Sequence, residues 1–567
     1  MSVKLYFNGL PGESMPGISL FTNAEKLGIA VPTSCNKQGK CKECVVDVTE
    51  GMECLSKPGP EERHLKGSAF RLSCCTRVVT EDGLVRCHTM RRGQMKIEKH
   101  AFELPTGARS WTLDPAVTRD GERILLDGVE IDRSTGPLHG LAIDLGTTTI
   151  VIRLLNLETG EVVADSSFEN PQRFGGSDVM ARIQYDTEDR TKTLQRTLVG
   201  YLSRAIAEFP VPAHSIYEVV LAGNSTMRDM FFRLSVYSIG QSPYQSLTEL
   251  ELAEGKRTTT SLSERAGKLG LPVHPKARVY GLPIISGHVG ADAAACMLAV
   301  DIANEERVVA VMDIGTNTEL IVGNKHKVLA ASCPAGPAFE GGQITFGMPG
   351  LPGAIEKVSI ADDGTVSTTV IGDVPPEGLC GSGLVDVMSE LLRTGRMNEL
   401  GRFEIGPEFV VAESGGRPIT FSEADVNALA QAKGANVAGL QIAFAEYGIR
   451  FADLDVFYLA GGFGRHLNLE SSKRIGLIPN IPTGKIVQVG NASVEGACIA
   501  LLSRTKRAEL EQLVRRVQHC RLETHSQFFD FFVNGCQFAP VEDTDSPHPA
   551  EVGGAVSTPP ARETVTP

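Results

Sequence analysis

The sequence lacks the features that would direct it into a membrane, along the secretory route or onto nucleic acid. No apolar run among its 567 residues approaches the length of about 18 that a membrane-spanning helix needs, and residues 1–9 have no basic start followed by an apolar stretch. The net charge of −13 argues against nucleic acid as the main partner. We therefore expect a cytoplasmic protein that binds neither membranes nor nucleic acid.

Two widespread nucleotide-binding signatures are absent as well. The sequence contains neither Gly-x4-Gly-Lys-[Ser/Thr] nor Gly-x-Gly-x-x-Gly after a strand, so it supports neither a P-loop nor a standard dinucleotide-binding fold. The composition, with 42% hydrophobic, 22% charged and 6% aromatic residues, is that of an ordinary α/β chain. The length allows three or four domains at about 100–200 residues each.

Cysteines, by contrast, are concentrated near the start. Seven of the 13 fall in the first 87 positions, and because disulfides are rare in the cytoplasm this indicates a metal or redox site. Cys35, Cys41 and Cys44 follow a Cys-x5-Cys-x2-Cys pattern, and Cys74 comes 30 positions later. Two irons bridged by two sulfides need four thiolates from a wrapped loop and one distant strand. A structural zinc site would usually show two short cysteine pairs, so we predict a [2Fe-2S] cluster.

Cys75 is the alternative to Cys74 as the fourth thiolate. If both lie on a strand, their side chains point to opposite faces, and only one can reach the cluster. We choose Cys74 because it follows the Arg-Leu-Ser lead-in, and we interpret Cys54 and Cys87 as buried thiols or reserve ligands.

The pattern along the chain changes twice. Residues 1–97 show short strands at 3–9, 44–48 and 84–89, and a strand leading into a capped helix at 19–27, which predicts a small β-rich domain. Residues 98–137 show no sustained period, which is typical of an extended linker. Apolar strands then alternate with long helices, such as 193–209 and one opening at Ser422, as in an α/β body. Residues 541–567 hold five prolines and no aromatic residue, which predicts a disordered tail.

Charge is unevenly distributed between these parts. Residues 1–97 hold 14 Lys/Arg and 10 Asp/Glu, a net +4 that leaves −17 for the rest. We expect the mildly basic first domain to dock on an acidic surface, either on its own body or on a partner protein.

One motif occurs twice in the body. Asp144-Leu-Gly-Thr-Thr-Thr recurs 169 positions later as Asp313-Ile-Gly-Thr-Asn-Thr, each time after an apolar strand. Such an aspartate can hold Mg²⁺, the glycine lets the turn approach a phosphate, and the hydroxyls and amides donate to that phosphate. A single copy could be an ordinary hairpin turn, whereas two copies indicate two pseudo-symmetric lobes, at 138–308 and 309–540, around one nucleotide.

A third apolar strand runs into a glycine turn at Gly461, Gly462 and Gly464. The turn would admit a flat adenosine, or it could be a tight strand-to-helix turn.

These motifs resemble known families. Residues 1–97 resemble the [2Fe-2S] ferredoxins, with the first spacing of the adrenodoxin-like branch. The two aspartate motifs and the glycine turn, in this order, resemble the phosphate-1, phosphate-2 and adenosine motifs of the acetate and sugar kinase, Hsp70 and actin superfamily. Both parts in one chain resemble the reductive activators of corrinoid proteins. Further motifs that strengthen this likeness lie at residues 222–227, 287–292, 335–342 and 380–384.

The resemblance implies a multidomain α+β and α/β protein, with a β-grasp ferredoxin domain, a linker and a duplicated actin-like (ribonuclease H-like) ATPase body. The implied enzyme uses ATP with Mg²⁺ to drive one electron through the [2Fe-2S] cluster onto the Co(II) corrinoid of a methyltransferase-system protein, restoring Co(I). Its partners would be that corrinoid protein and an electron donor, either a reductase or a ferredoxin. A homodimer is expected by resemblance alone.

The resemblance also implies residue roles. The cluster ligands would be Cys35, Cys41, Cys44 and Cys74. Asp144 and Asp313 would position Mg²⁺ and phosphate, and Asp292 would orient the attacking water. The phosphate ligands would be Gly146, Thr147, Thr148, Gly315, Thr316 and Asn317. The adenosine pocket would be lined by Gly461, Gly462 and Gly464. Glu340 follows a glycine-proline turn and could bind nucleotide or cap a helix.

Three alternative functions stay open at this point. The chain could be a small-molecule kinase whose ferredoxin domain senses redox state. It could be a binding module in which nucleotide switches partner affinity and the cluster is structural. It could also be an ATP-driven electron donor to another enzyme, such as a dehydratase.

Overall fold

The computed structural model describes residues 2–33, 35–65, 69–90, 111–404, 406–462 and 464–543. The first part of the predicted linker, up to residue 110, and the predicted tail from residue 544 onward lie outside these ranges. Within the described residues, no helix combines the length and apolar character that would let it cross a bilayer.

The first domain is a five-stranded sheet with one helix. Its strand order is β2-β1-β5-β3-β4, with β1 and β5 parallel and the other neighbours antiparallel. The elements are β1 (Val3–Phe7), β2 (Leu10–Ser14), α1 (Leu20–Lys26), β3 (Val45–Glu50), β4 (Phe70–Leu72) and β5 (Leu84–Thr89). The strand expected before α1 is absent, because Ser19 is the N-cap and its hydroxyl accepts the Thr22 amide at 3.1 Å.

Residues 117–133 correct the linker prediction. They form an antiparallel sheet of β6 (Val117–Asp120), β7 (Arg123–Leu126) and β8 (Val129–Arg133). The signal was in the sequence, since Asp-Gly dipeptides at 120–121 and 127–128 are strong hairpin turns. The strands are short, but Val117 and Ile124 are buried against the body, so this segment is folded rather than extended.

Lobe 1 carries a six-stranded sheet in the order β11-β10-β9-β12-β14-β13. The strands of this sheet are β9 (His139–Leu145), β10 (Thr149–Asn156), β11 (Val162–Glu169), β12 (Ile216–Ala222), β13 (Leu262–Arg265) and β14 (Arg278–Gly281). The helices are α2 (Val179–Glu188), α3 (Thr193–Glu208), α4 (Ser225–Phe231), α5 (Leu247–Ala253), α6 (Ala266–Leu269) and α7 (Ala291–Ala299). The helix predicted at 193–209 is confirmed as α3, which buries its apolar stripe in the core.

Lobe 2 carries a six-stranded sheet in the order β24-β23-β15-β16-β17-β25 and two smaller sheets. The strands of lobe 2 are β15 (Val309–Asp313), β16 (Thr318–Gly323), β17 (Val328–Cys333), β18 (Ala354–Ile360), β19 (Val366–Val370), β20 (Gly378–Leu379), β21 (Glu408–Ser414), β22 (Arg417–Ser422), β23 (Val456–Ala460), β24 (Ile486–Gly490) and β25 (Gln518–His519). The helices are α8 (Gly381–Arg393), α9 (Glu423–Tyr447), α10 (Leu469–Arg474), α11 (Ala492–Leu502), α12 (Arg504–Leu513) and α13 (Phe528–Gly535). The capping box predicted at Ser422 is confirmed at the start of α9.

The boundary of the predicted tail also needs correction. Val541 is buried and bridges to Pro479, and the Asp543 carboxylate accepts the Phe451 amide at 2.5 Å. Residues 541–543 therefore belong to lobe 2.

The two lobes repeat one topology, which confirms the duplicated body. In each lobe an antiparallel meander of three strands is followed by two strands that extend the sheet from the first meander strand in parallel: β9, β10, β11, β12 and β14 in lobe 1, and β15, β16, β17, β23 and β24 in lobe 2. Helices α7 and α11 pack against each other between the lobes. Their backbones approach so closely at Gly496 that a Cβ there would lie 2.0 Å from the Ala295 carbonyl oxygen.

The first domain contacts both lobes, but with charges opposite to those expected. The body residue Arg173 lies 3.9 Å from the Asp47 carboxylate and 5.9 Å from the Phe70 ring centroid of the first domain. Arg417 of lobe 2 lies 3.8 Å from the Glu50 carboxylate. The local contacts thus pair carboxylates of the first domain with arginines of the body, so net charge did not predict the docking surface.

Candidate functional site

The four predicted cluster thiols stand in two pairs. The Cys44 and Cys74 sulfurs are 3.3 Å apart, and both residues are buried. Cys35 and Cys41 form the second pair, and the Lys40 amide donates to the Cys35 sulfur at 3.3 Å. Asn36, Lys37 and Lys42 have positive φ, which curls the loop between α1 and β3 around the thiols.

This pairing tests whether the residues fit an iron-sulfur cluster. Within the described residues no three or more His, Cys, Asp or Glu side chains are grouped to hold one metal ion. A mononuclear zinc site would need four converging ligands, whereas each iron of a [2Fe-2S] cluster takes two protein thiolates. The two separate pairs therefore fit the two-iron cluster.

Hydrogen bonds already favour thiolates in this loop. Burial alone would raise the pKa of the Cys35 thiol, but the backbone and thiol of Cys41 and the amides of Lys40 and Gln38 lower it to about 7. The hydrogen bond between the Cys44 and Cys74 thiols is the main reason that the pKa of Cys44 is lowered. The same hydrogen bond, together with burial, raises the pKa of Cys74.

The assumption that Cys74 and Cys75 lie on a strand is wrong. Strand β4 ends at Leu72, so both cysteines lie in a turn, and their sulfurs are 3.6 Å apart. The Cys75 sulfur also lies against Gly39 of the cluster loop, 2.8 Å from where a Cβ would be. The contact with Cys44 favours Cys74, and the choice of Cys74 stays a prediction.

A buried ion pair missed by the sequence reasoning joins the 3₁₀ turn Pro60–Glu62 to β4. The Arg71 guanidinium donates to both Glu62 carboxylate oxygens, at 2.9 and 3.1 Å, and each side chain is 2% exposed. Glu62 also accepts the Leu72 amide at 2.9 Å and the Thr76 hydroxyl at 3.2 Å. The carboxylate is thus fully engaged, and it fixes the turn that carries Cys74.

A cleft between the lobes gathers nearly all of the predicted nucleotide residues. Those on its walls are Asp144, Gly146, Thr147, Thr148, Asp292, Asp313, Gly315, Thr316, Asn317, Glu340, Gly461 and Gly462. Gly464 is not on the wall. Its amide donates to the Gly461 carbonyl at 3.1 Å and its carbonyl accepts the Gln488 amide at 2.7 Å, so it closes the turn behind the cleft.

In lobe 1, Asp144 lies at the end of β9 and is held by two residues from the second half of the chain. Its two carboxylate oxygens accept the Asn491 amide and the Ser493 hydroxyl, each at 2.8 Å. Both donors lie at the start of α11, so the second half of the chain fixes the aspartate of the first half. Gly146 is required in the hairpin, since a Cβ would lie 2.4 Å from the Thr149 carbonyl oxygen.

In lobe 2, Asp313 ends β15 in the equivalent position and has a weaker donor. Its carboxylate accepts the Cys296 thiol of α7 at 3.2 Å. Next to it on β16 is Glu319, which the sequence reasoning missed. Glu319 is 3% exposed and accepts the Ser332 hydroxyl at 3.0 Å, and a glutamate inside an otherwise apolar strand was the available signal.

The cleft concentrates buried carboxyl groups whose protons are held tightly. Burial is the largest cause of a raised pKa at Asp144, Asp292, Asp313 and Glu319. The pKa is raised to about 7 at Asp313, where Asp144 and Glu340 add repulsion, and to about 7 at Asp292, where Asp144 and Asp313 do so. The charge arrangement favours either bound protons or a cation. Because no group of metal-ligating side chains is assembled in the described residues, such a cation would be held partly through water.

Glu340 does not cap a helix, and its role as a nucleotide ligand stays a prediction. Its carboxylate accepts the Thr148 hydroxyl of lobe 1 at 2.9 Å and also accepts the Thr316 hydroxyl of lobe 2. The two hydroxyl oxygens are 2.9 Å apart. Glu340 therefore joins the two aspartate hairpins across the cleft instead of capping a helix.

Comparison with known families accounts for most of the chain. Residues 13–79 match the 2Fe-2S iron-sulfur cluster binding domain, residues 139–305 match the RACo middle region, and residues 307–549 match the C-terminal domain of RACo, the ASKHA domain. The chain is a RACo-like protein. The ferredoxin domain and the actin-like ATPase body that the sequence predicted are confirmed.

Several similar proteins align with most of the chain. The chain is 27% identical to the corrinoid activation enzyme RamQ of Eubacterium limosum, over 90% of this chain and 95% of that protein. It is 24% identical to the [Co(II) methylated amine-specific corrinoid protein] reductase of Methanosarcina barkeri, over 70% of this chain and 76% of that protein. The solved structure of a reductive activator for corrinoid,iron-sulfur protein is 28% identical, with a TM-score of 0.70 over 95% of this chain and 98% of that one.

Proposed function

We propose that this protein is an ATP-dependent reductive activator, which passes one electron to the Co(II) corrinoid of a methyltransferase-system protein and restores Co(I). The observation that carries the proposal is one chain that holds both a paired-thiol ferredoxin domain and a two-lobed cleft with a phosphate hairpin from each lobe. The likeness to proteins named for corrinoid activation, along nearly the whole chain, supports the same conclusion.

The nucleotide site follows from the cleft. The hydroxyls of Thr147, Thr148 and Thr316 and the turn at Asn317 would bind the phosphates, and the Gly461-Gly462 turn would lie against adenosine. Asp144 and Asp313 would position Mg²⁺, partly through water. Asp292, at the start of α7, would orient the water that attacks the terminal phosphate.

The redox centre would be held by Cys35 and Cys41 on one iron and by Cys44 and Cys74 on the other. A [2Fe-2S] cluster, when bound, accepts and passes on single electrons. The residues around it keep the thiols in their ligand positions, through the Lys40 amide and the Glu62–Arg71 pair.

The free energy of the uphill electron transfer explains why ATP is needed. A tenfold shift in a one-electron equilibrium corresponds to about 59 mV or about 1.4 kcal/mol, so an uphill gap of about 0.2 V needs about 4–5 kcal/mol of differential binding. A nucleotide-driven change in affinity for the Co(II) partner could supply that amount. The electron would come from a reductase or another ferredoxin.

We also propose that the protein works in the cytoplasm and forms a homodimer. The cytoplasmic location is supported by the 13 cysteines, all of which are free. The homodimer rests on the family resemblance, and light scattering of the purified protein would test it.

The deciding experiment mixes the reduced protein with MgATP and a Co(II) corrinoid protein while visible spectra are recorded. We expect a Co(I) band that requires ATP and does not form with ADP. Phosphorylation of a metabolite without a Co(I) band would instead support the kinase alternative. Failure to bind nucleotide at all would contradict both.

A matched pair of variants tests the cluster ligands. We expect Cys74→Ala to lose most of the iron and its visible absorbance, because Cys74 is the partner of Cys44. Cys75→Ala should retain the cluster and shift its spectrum at most slightly. Loss of iron in the Cys75 variant alone would reverse the assignment.

A further inference from the structure

Glu340 occupies the hydrogen-bond donors that a nucleotide phosphate would need. The Thr148 and Thr316 hydroxyls both lie within hydrogen-bond distance of the same carboxylate oxygen, Oε2 of Glu340, and of each other, and each hydroxyl carries only one hydrogen to donate. One of these threonines belongs to each lobe. In the described structure both hydroxyls are therefore already engaged with an anion.

The position of Glu340 is built into lobe 2. It ends a 3₁₀ turn, Ala338–Glu340, and is followed by Gly341 at φ +85°, where a Cβ would lie 2.6 Å from the Met348 amide nitrogen. The Gly336 amide of the same loop donates to the Thr316 carbonyl at 2.8 Å. The loop thus carries the carboxylate to the hairpin and anchors it there.

Lobe 1 supplies positive charge facing this carboxylate. Burial raises the pKa of Glu340 above its usual value, and the two threonine hydroxyls and the charges of Arg173 and Arg182 oppose that shift without reversing it. Arg182 is fully buried and its Nη2 has no hydrogen-bond partner in the described residues. The environment therefore offers hydroxyl donors and guanidinium groups, the same chemistry that binds a phosphate.

We propose that Glu340 stands in for a nucleotide phosphate: its carboxylate bridges the Thr148 and Thr316 hydroxyls, and an incoming phosphate must displace it. This inference rests on the proposed nucleotide site. A carboxylate and a phosphate cannot share the same two donors, because two anions at contact distance repel each other. Glu340 is thus a positioning residue that competes with the nucleotide and changes its partners when the nucleotide binds.

Glu340→Gln tests the competition, since it keeps the shape and an acceptor oxygen but removes the charge. We expect the variant to bind MgADP about tenfold more tightly than the wild type in calorimetry, which corresponds to about 1.4 kcal/mol. Pyrophosphate should show the same gain, because the competition concerns the phosphate donors. Glu340→Ala should behave in the same direction.

Glu319→Gln is the matched control, because it removes a buried carboxyl from the same cleft that does not bond to either threonine. An equal gain in both variants would mean a general effect of replacing buried carboxyl groups in the cleft and would overturn the specific role of Glu340. Weaker binding in Glu340→Gln would overturn it too, because the carboxylate would then be a nucleotide or Mg²⁺ ligand. Unchanged affinity in Glu340→Gln would also overturn it.

A double-mutant cycle keeps the test independent of folding defects. In a Thr148→Val/Thr316→Val background the carboxylate has lost both donors, so Glu340→Gln should bring no further gain in affinity. A full gain in that background would contradict the proposal. If the wild type bound neither MgADP nor pyrophosphate, the nucleotide site itself would be wrong, which is a different result from any of these.

Discussion

Asp144 and Asp313 end equivalent strands of a duplicated fold, yet the two lobes hold them differently. Asp144 accepts two hydrogen bonds from amide and hydroxyl groups of α11, whereas Asp313 accepts one from a thiol of α7. The neighbouring strand places Val151 opposite Asp144 and Glu319 opposite Asp313. The two hairpins therefore have equivalent places in the fold, while α7 and α11 give their aspartates different hydrogen-bond donors.

This difference predicts different roles for Asp144 and Asp313 in Mg²⁺ binding. Two good donors stabilise the ionised form of Asp144 against the effect of burial. Burial raises the pKa of Asp313 to about 7, the thiol that donates to it is a weak donor, and Asp144 and Glu340 add repulsion, so Asp313 is partly protonated at neutral pH. We expect Asp144 to be the dominant anchor of Mg²⁺ and Asp313 to tune it.

The largest effect should follow from removing the charge of Asp144. Asp144→Asn is expected to lower the ATPase kcat by about 10²–10³, the scale seen when one electrostatic group is lost from an active site. Asp313→Asn at pH 7 should cost only about tenfold, because an amide resembles the protonated carboxyl. Steady-state phosphate release measures both. Equal losses in the two variants would mean that the lobes contribute alike.

A substitution at Gly496 tests the close packing of α7 against α11, the helix whose first residues donate to Asp144. Gly496→Ala puts a methyl group 2.0 Å from the Ala295 carbonyl, so α7 and α11 must separate, at a cost of about 1–3 kcal/mol. We expect the thermal unfolding midpoint to fall by several degrees and the ATPase rate to fall with it. The control is Gly267→Ala on α6, where nothing lies within 4 Å of the new Cβ. If both variants unfolded at the wild-type temperature, the close crossing would be wrong.

Parts of this site were predictable because they are local in sequence. The Asp-x-Gly-Thr hairpins and the Cys-x5-Cys-x2-Cys loop carry their geometry within a few residues, so their positions could be predicted directly. The donors on Asp144 come from residues 347 and 349 positions away, and no local pattern announces them. The same holds for the bridge from Glu340 to Thr148, 192 positions apart.

The wrong predictions about the cysteines, the linker and the docking surface each have a physical reason. Cys74 and Cys75 were expected to lie on a strand and to point to opposite faces, but the strand ends at Leu72. The linker prediction gave too little weight to two Asp-Gly turns. The charge argument used the net charge of a domain, whereas docking depends on the few side chains that meet, such as Asp47 and Arg173.

The pH dependence of nucleotide binding should separate the two lobes further. Asp313 with a pKa of about 7 is neutral below that pH and ionised above it, so wild-type affinity for MgADP should rise between pH 6 and 8. In Asp313→Asn this rise should shrink. The remaining titration should move to lower pH, because the charge of Asp313 is one of the groups that raise the pKa of Asp292. Calorimetry across this range would show it, and an unchanged profile would contradict the assignment.

The smallest effect concerns the thiol that replaces a hydroxyl in lobe 2. Cys296 donates to Asp313 at 3.2 Å, and a serine hydroxyl is a better donor, so Cys296→Ser should lower the pKa of Asp313 and move the binding midpoint to lower pH. A gain of about 0.5 kcal/mol corresponds to a shift of about 0.4 pH unit. Cys296→Ala should move the midpoint the opposite way, since it removes the donor.

Cys498 provides the matched comparison in the other linking helix. Its sulfur lies 3.6 Å from the Arg153 guanidinium and not next to either aspartate, so Cys498→Ser should leave the midpoint where it is. We expect the midpoint to shift in opposite directions for Cys296→Ser and Cys296→Ala and not to shift for Cys498→Ser. That result would show that the donor at position 296 sets the pKa of Asp313. If all three variants moved together, the difference between the lobes would instead arise from burial alone.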